Sequence, residues 1–308
     1  MSFTYKDKPI LEICLKSLLK TEYGNYRVIV ADDCSTDDSV SYLKRKFKNV
    51  EITTMKKEGW FGGNNNNGMR YALRKYDPDY IALVSNDVII KDKKWLDKLV
   101  KVAESDEKIG LVGPKFVYPD GRVQNAGIPF NNHLHGRGQT DKDRKEYSKL
   151  EKMEAVVAVT VLIKRKVIDK IGIFDENFEG TFEDMDFALR AGRAGFDIMY
   201  DGRVKLIHLH SYTASTMSKK RDMDYVIYQE QRNYGYFIIK NYKGIKRVIP
   251  FLWMFMRPIM VKRENAGIVG IRNFRIKGPI LKKLKLSASA WRDATALYKK
   301  GTADNIGV

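Results

Sequence analysis

Apolar positions in the first part of the chain switch between a helical and an extended period. Ile10, Leu11, Cys14, Leu15, Leu18 and Leu19 recur at helical spacing, and Gly24 follows as a stop. YRVIVADD (26–33) is then a short β-branched run ending in two acids, and CSTDDS (34–39) reads as a polar turn into a capped helix. That helix runs through Phe47; a strand at 50–55, a Gly/Asn loop, a helix from about Asn65 to Tyr76 and the strand YIALV (80–84) follow. Strands alternating with helices at this spacing predict an α/β fold with a mostly parallel sheet and helices on its faces. Ligands of such sheets bind beyond the carboxyl ends of the strands, where Asp32-Asp33 and Ser85-Asn86-Asp87 lie.

Past Asp87 the pattern is more mixed. A helix near 95–103 leads to the strand IGLVG, then to a polar region at 120–147, too long for a structureless loop, and then to the apolar run AVVAVTVLI (155–163). FEGTFEDMDFALRAGRAGF (178–196) predicts an amphipathic helix from about Phe182 to Ala194. Thr181 and Asp184 resemble a capping box there, and Gly192 and Gly195 form the stop. Met185, Ala188 and Leu189 form its buried stripe; Glu183 points away, and Asp184 and Asp186 lie on the two borders. These acids read either as a first turn matched to the helix dipole or as a base held ionised by it; helical geometry alone leaves Asp184 and Asp186 equivalent. From Asp222 onward the chain reads as helical, aromatic and basic.

Composition narrows the class. The 308 residues suffice for a sizeable core, and 44% apolar with 31% charged residues describes a globular chain. The net charge of +18 implies an anionic partner: nucleic acid, an anionic membrane surface or a phosphorylated small molecule. Cys14 and Cys34 offer neither a disulfide framework nor a zinc cluster, and the polar start lacks a secretory apolar stretch, so a cytoplasmic setting is expected. VIPFLWMFM (248–256) is too short to span a bilayer.

The candidate chemistry is modest motif by motif. GWFGGNNNNGMR (59–70) has Walker spacing at Gly63 and Gly68 but Met69 where the lysine belongs, so it is a turn with a helix cap or a loop bringing backbone amides to a sugar or diphosphate. Asp87 is a turn residue or, with Asp32 and Asp33, a carboxylate near a cation shared with a diphosphate. His208 and His210 alternate to one side of an extended segment, as hydrogen-bonding strand-end residues or as metal or phosphate ligands; His133 and His135 share the spacing in a polar loop.

In order, ADDCSTDDS, GWFGGNNNNGM, SND, FEDMDFALRAGRAGF and IHLH resemble the family 2 inverting glycosyltransferases, particularly their rhamnosyltransferase-like and galactofuranosyltransferase-like members. The resemblance runs from about Ser2 to Ser211. It implies a glycosyltransferase A-type fold over 1–215, with a nucleotide-sugar half at about 1–115 and an acceptor half at about 116–215, followed by a helical, basic region at 216–308. It also implies that Asp33, with Asp32 beside it, reads the nucleotide base; that Gly62, Gly63, Asn67 and Asn86 line the nucleotide sugar; that Asp87 and His208 hold manganese or magnesium; and that Asp184, preceded by Glu183, is the general base. The implied partners are a nucleoside-diphosphate sugar and a glycan or lipid-linked acceptor.

Two features depart from the family pattern. The opening strand is reduced to Ser2-Phe3-Thr4-Tyr5-Lys6, and the metal motif has a single acid, Asp87. Two other classes compete with the enzyme: a catalytically silent glycan-binding module of the same fold, and a nucleic-acid-binding protein. The latter accounts for the charge but leaves the five motifs unexplained, so no specific nucleic acid is expected. Basic flanks around 248–256 suit an interfacial helix, or a core helix on the catalytic domain; the former would hold the protein peripherally on the inner face of an anionic membrane.

Overall fold

The alternating pattern resolves into two sheets with helices on their faces. The structure is a computed structural model describing residues 2–3, 8–129, 136–209, 223–260 and 280–301. His133, His135, His210 and the expected division near 215 lie outside the described residues.

The first sheet is wholly parallel. β1 (Ser2–Phe3) pairs with β2 (Ile29–Asp32), and β2 with β3 (Glu51–Thr54). α1 (Lys8–Leu18), α2 (Ser39–Lys46) and α3 (Trp60–Tyr76) connect and follow these strands. The apolar stripe read in α1 is the buried one: Leu11, Cys14, Leu15 and Leu18 are in the core.

The second sheet has the order β4 (Tyr80–Val84), β9 (Thr160–Lys164), β6 (Ile109–Val117), β10 (Asp197–His208), β5 (Val88–Ile89). β7 (Val123–Asn125) adds to β6 and β8 (Leu150–Met153) to β10. Here β6 and β10 run parallel, while the pairings of β4 with β9, β6 with β7 and β9, and β10 with β5 and β8 are antiparallel. The α/β class stands, with a more mixed sheet than the strand–helix alternation predicts. Short returns such as the 118–122 turn between β6 and β7 can close only antiparallel pairs. β6 is buried along its whole length, and the expected division at 115/116 falls inside it, so both halves share this strand. α4 (Trp95–Glu104), α5 (Arg165–Ile171) and α6 (Glu183–Arg193) complete the layers.

β10 carries an irregularity that matters for the site. Asp201 pairs with Pro114 and Lys205 with Lys115, so three residues, Gly202 to Val204, bulge out against adjacent partners on β6. Gly202 meets the Tyr147 carbonyl so closely that a Cβ would lie 2.1 Å from its oxygen.

The C-terminal region is helical, as expected. α7 (Met223–Asn241) packs on α6, α9 (Ile280–Lys299) packs along α7, and α8 (Val248–Met260), preceded by a 3-10 turn at Gly244–Arg247, contacts both. Among the described residues no helix is long and apolar enough to cross a membrane.

Candidate active site at the strand ends

A series of short contacts links the segments at the strand ends of the two sheets. At the end of β2, the Gly59 amide donates to Asp33 Oδ1 at 2.6 Å, tying the acid-rich turn to the start of α3. Burial pushes the Asp33 carboxyl up to about 6, against the pull of that amide and with the charges of Glu58 and Asp32 adding to the rise. Asp32 is fully buried and accepts from the Ser35 amide at 3.3 Å.

GWFGGNNNNGMR is helix rather than loop: α3 begins at Trp60, not near Asn65. Its asparagines override their weak helix propensity by bonding neighbouring backbone. Asn64 Nδ2 donates to the Ala31 carbonyl at 2.9 Å, and Asn66 exchanges bonds of 2.9 and 3.0 Å with the carbonyl and amide of Phe174. The glycines let other elements approach. A Cβ on Gly62 would lie 3.8 Å from the Glu183 Cβ, which places the first turn of α3 against the first turn of α6. Gly63 is buried beside it, and Asn67 lies one turn further on.

The end of β4 supplies Asn86 and Asp87, both buried. Pairing of β5 with β10 sets His208 opposite Val88, and the Leu209 amide donates to the Asp87 carbonyl at 2.9 Å. His208 Nε2 consequently sits 3.2 Å from Asp87 Oδ1. The other ring nitrogen, Nδ1, meets Gln124 Oε1, while Gln124 Nε2 donates to the His208 carbonyl at 3.4 Å. A histidine that gives its Nδ1 proton to an amide oxygen presents a Nε2 lone pair, the usual support of a metal-binding imidazole. Two donors about 3 Å apart can be neighbours in an octahedral shell with ligand distances near 2.1 Å, so the residues fit a divalent cation. Among the described residues no group of three or more His, Cys, Asp and Glu side chains converges as a metal cluster, so such an ion would draw further ligands from phosphate and water.

α6 brings the paired acids. Asp184 is half-buried and accepts from the Ala158 amide at 3.3 Å and the Met185 amide at 2.8 Å. The next residue, Val159, accepts from the Ser85 amide at 2.8 Å, so a short backbone bridge joins Asp184 to the turn bearing Asp87. Burial raises the Asp184 carboxyl, with the Ala158 and Met185 amides opposing the rise. Burial raises Glu183 as well, and the charge of Asp184 adds to it.

Two expectations about this helix are corrected. Glu183 does not point to solvent but is 4% exposed, because the first turn of α3 covers the face that a single-helix projection leaves open. The capping box does not form. Phe182, the N-cap residue, is left-handed at φ 73° with no side-chain cap, and Thr181 Oγ1 instead accepts from Asn233 Nδ2 at 2.9 Å. A bulky residue in that region is strained, and packing of its ring against Tyr234 and Phe237 holds it.

Asp184 and Asp186 are far from equivalent in the fold. Asp186 is fully buried and accepts from Arg190 Nε at 2.8 Å, Lys240 Nζ at 3.0 Å and Asn241 Nδ2 at 2.9 Å. Lys240 also meets Asp175 at 2.8 Å, and Tyr236 donates to the same Asp175 oxygen at 2.8 Å. This cluster fastens α7 to α6. By contrast, Glu183 Oε2, Asn67 Nδ2, Asn86 Nδ2 and Ser35 Oγ, all on segments at or beside these strand ends, are buried without a hydrogen-bond partner among the described residues.

Sequence reasoning missed Gln124, the Ala158–Val159 backbone and Lys240. Gln124 sits in a polar region with no periodic signal, Ala158 and Val159 lie inside an apolar run whose spacing gives no sign that strand β9 starts only at Thr160, and Lys240 is one basic residue among many in the C-terminal region.

The chain is 26% identical over 219 residues to the O-antigen biosynthesis protein RfbC of Myxococcus xanthus, an alignment covering 67% of this chain and only 17% of that protein. It is 24% identical over 235 residues to the N-acetylglucosaminyl-diphospho-decaprenol L-rhamnosyltransferase of Mycobacterium tuberculosis, covering 68% and 74%. Among solved structures, the mannosyltransferase PcManGT of Pyrobaculum calidifontis, in complex with GDP-Man and Mn2+, superposes with a TM-score of 0.53 at 14% identity, covering 97% of this chain and 78% of that one. That likeness establishes the glycosyltransferase A-type fold. The model described as Glycosyl transferase family 2 matches residues 3–172, more than half of the sequence, and the chain belongs to that family.

Proposed function

We infer that the protein is a metal-dependent inverting glycosyltransferase that moves a sugar from a nucleoside-diphosphate donor to a glycan or lipid-linked acceptor. The observation that supports this reading is the bridge from Asp184 through Ala158 and Val159 to Ser85, which links the half-buried Asp184 carboxyl to the turn that carries Asp87, the partner of His208. Inverting transfer is a single displacement: the acceptor hydroxyl attacks the anomeric carbon on one face while nucleoside diphosphate leaves from the other. Asp184 accepts the hydroxyl proton, and its raised affinity for protons suits it to that task. Glu183 is buried beside it, and the charge on Asp184 raises the Glu183 carboxyl further, so ionisation of one acid makes the other hold its proton more tightly. Asp33 and Asp32 face the nucleotide base, and Gly62, Gly63, Asn67 and Asn86 line the donor; the unpartnered amides of Asn67 and Asn86 would find acceptors in its hydroxyls and phosphates. Asp87 and His208 would hold manganese or magnesium, which when bound neutralises charge on the departing diphosphate.

The setting proposed is cytoplasmic, with peripheral attachment to the inner membrane face where the acceptor is lipid-linked. The test is a thermal-shift screen of nucleotide sugars with and without manganese, followed by turnover of wild type and Asp184→Asn. A donor-selective, manganese-dependent shift with turnover in wild type alone is expected. Full turnover in Asp184→Asn would remove the base, and donor binding without any wild-type turnover would leave a glycan-binding module.

A further inference from the structure

Helix α8 has two opposite faces. Met254 is fully buried, and Phe251 packs edge-on against Trp291 of α9 with ring centroids 4.7 Å apart. The other side carries Val248, Ile249, Leu252, Trp253 and Met256, which fall within one half-turn at about 100° per residue. All five are exposed, Ile249 at 70% and Leu252 at 55%, and Ile245 in the preceding turn stands out at 82%. Adjacent exposed apolar side chains of this size are not ordinary surface decoration.

Charge says what covers them. From Gln231 to Arg292 the sequence has fifteen Lys and Arg against one acid, Glu264, and Lys243 and Lys246 are exposed immediately before α8. An apolar strip with a lysine-rich border and a tryptophan on it matches the interfacial zone of an anionic bilayer: side chains enter the acyl boundary while ammonium groups meet phosphates. The helix is too short to enter further.

We propose that the exposed face of α8, with Ile245, is a monotopic docking surface for an anionic lipid bilayer. α8 rests on α7, and α7 is fastened to α6 through Lys240 and Asp186, so docking also orients α6, with Asp184 in its first turn, relative to the bilayer. The use of that orientation, delivery of a lipid-linked acceptor, rests on the proposed transferase function; docking itself does not.

The experiment is co-sedimentation of the full chain with vesicles of phosphatidylcholine plus phosphatidylglycerol and with vesicles of phosphatidylcholine alone, at low and high salt. Wild type is expected to pellet with the anionic vesicles and to release as salt rises. Ile249→Glu combined with Leu252→Glu, both at exposed positions, should lower partitioning by roughly 100-fold, since each side chain contributes about a factor of ten or more on burial. Lys243→Glu with Lys246→Glu should weaken binding to anionic vesicles alone. The proposal is overturned if wild type stays in solution with anionic vesicles, or if the Ile249/Leu252 variant pellets like wild type, which would assign binding to overall charge. It is equally overturned if ultracentrifugation shows this face buried in a dimer that ignores vesicles. The donor-induced thermal shift of the Ile249/Leu252 variant, expected unchanged, reads the transferase function separately.

Discussion

Asp184 and Asp186 sit two residues apart on one helix, yet their surroundings are opposites. Around Asp186 every charge is met: two carboxylates, Asp175 and Asp186, face Lys240 and Arg190 with Tyr236 and Asn241 closing the remaining bonds. Among the described residues, the Asp184 carboxylate accepts from backbone amides only, its neighbour Glu183 keeps an oxygen without a partner, and Asn67 and Asn86 keep donors in the same condition. Fully paired charge is what a fastening needs, because removing one member strands the others in low dielectric. Buried polar atoms left unpaired cost stability and persist where a ligand completes them. The contrast marks Asp186 as a structural acid and supports the proposal that Asp184 is the chemical one, a distinction the helical projection leaves open.

The comparison breaks most sharply if Asp184→Asn is harmless. We expect it to lower transfer by about 10²–10⁴-fold with donor binding and melting temperature near wild type, measured as nucleoside-diphosphate release. Lys240→Met is the converse: it should cost about 3–5 kcal/mol in denaturant unfolding by leaving Asp175 and Asp186 short of a cation, while well below the unfolding midpoint turnover stays within a few-fold. Gln124→Leu should weaken manganese binding by about 10–100-fold, read by titration calorimetry, with turnover recovering at high manganese. The pH profile sharpens the chemical side. Because Glu183 and Asp184 are both raised, activity should climb with pH along a limb above the ordinary carboxylate range, and that limb should move in Glu183→Gln. The smallest effect concerns Asp33, raised from 3.8 to about 6. Between those values the folded chain binds the extra proton, so stability declines as pH rises through this window; Asp33→Asn should make that decline shallower in melting curves taken across it, the share due to Glu183 and Asp184 remaining.

Much of the fold was legible because burial wrote it into periodicity. The α1 stripe, the apolar run of β2 and the strand Tyr80–Val84 follow one-dimensional rules. The α3 start was not, because four asparagines and two glycines signal a turn until one knows that Phe174, more than a hundred residues away, supplies bonds for Asn66. Glu183 was misplaced for a related reason: its cover comes from another helix. Within the site, residue types at strand ends were readable, whereas the second ring contact of His208 and the backbone bridge at Ala158 depend on pairings that no local spacing encodes.

The bulge in β10 acts as a parity switch. Asp201 and Lys205 are four residues apart and in an unbroken strand would face the same side, yet pairing with the adjacent Pro114 and Lys115 turns them to opposite sides. Every later residue of the strand inherits the reversal, His208 included. Straightened through Gly202, Arg203 and Val204, β10 would carry that imidazole to the far side of the sheet from Asp87. The pairing of carboxylate and imidazole is therefore decided several residues upstream, where the Tyr147 carbonyl leaves room for glycine and for no larger residue without a shift of backbone.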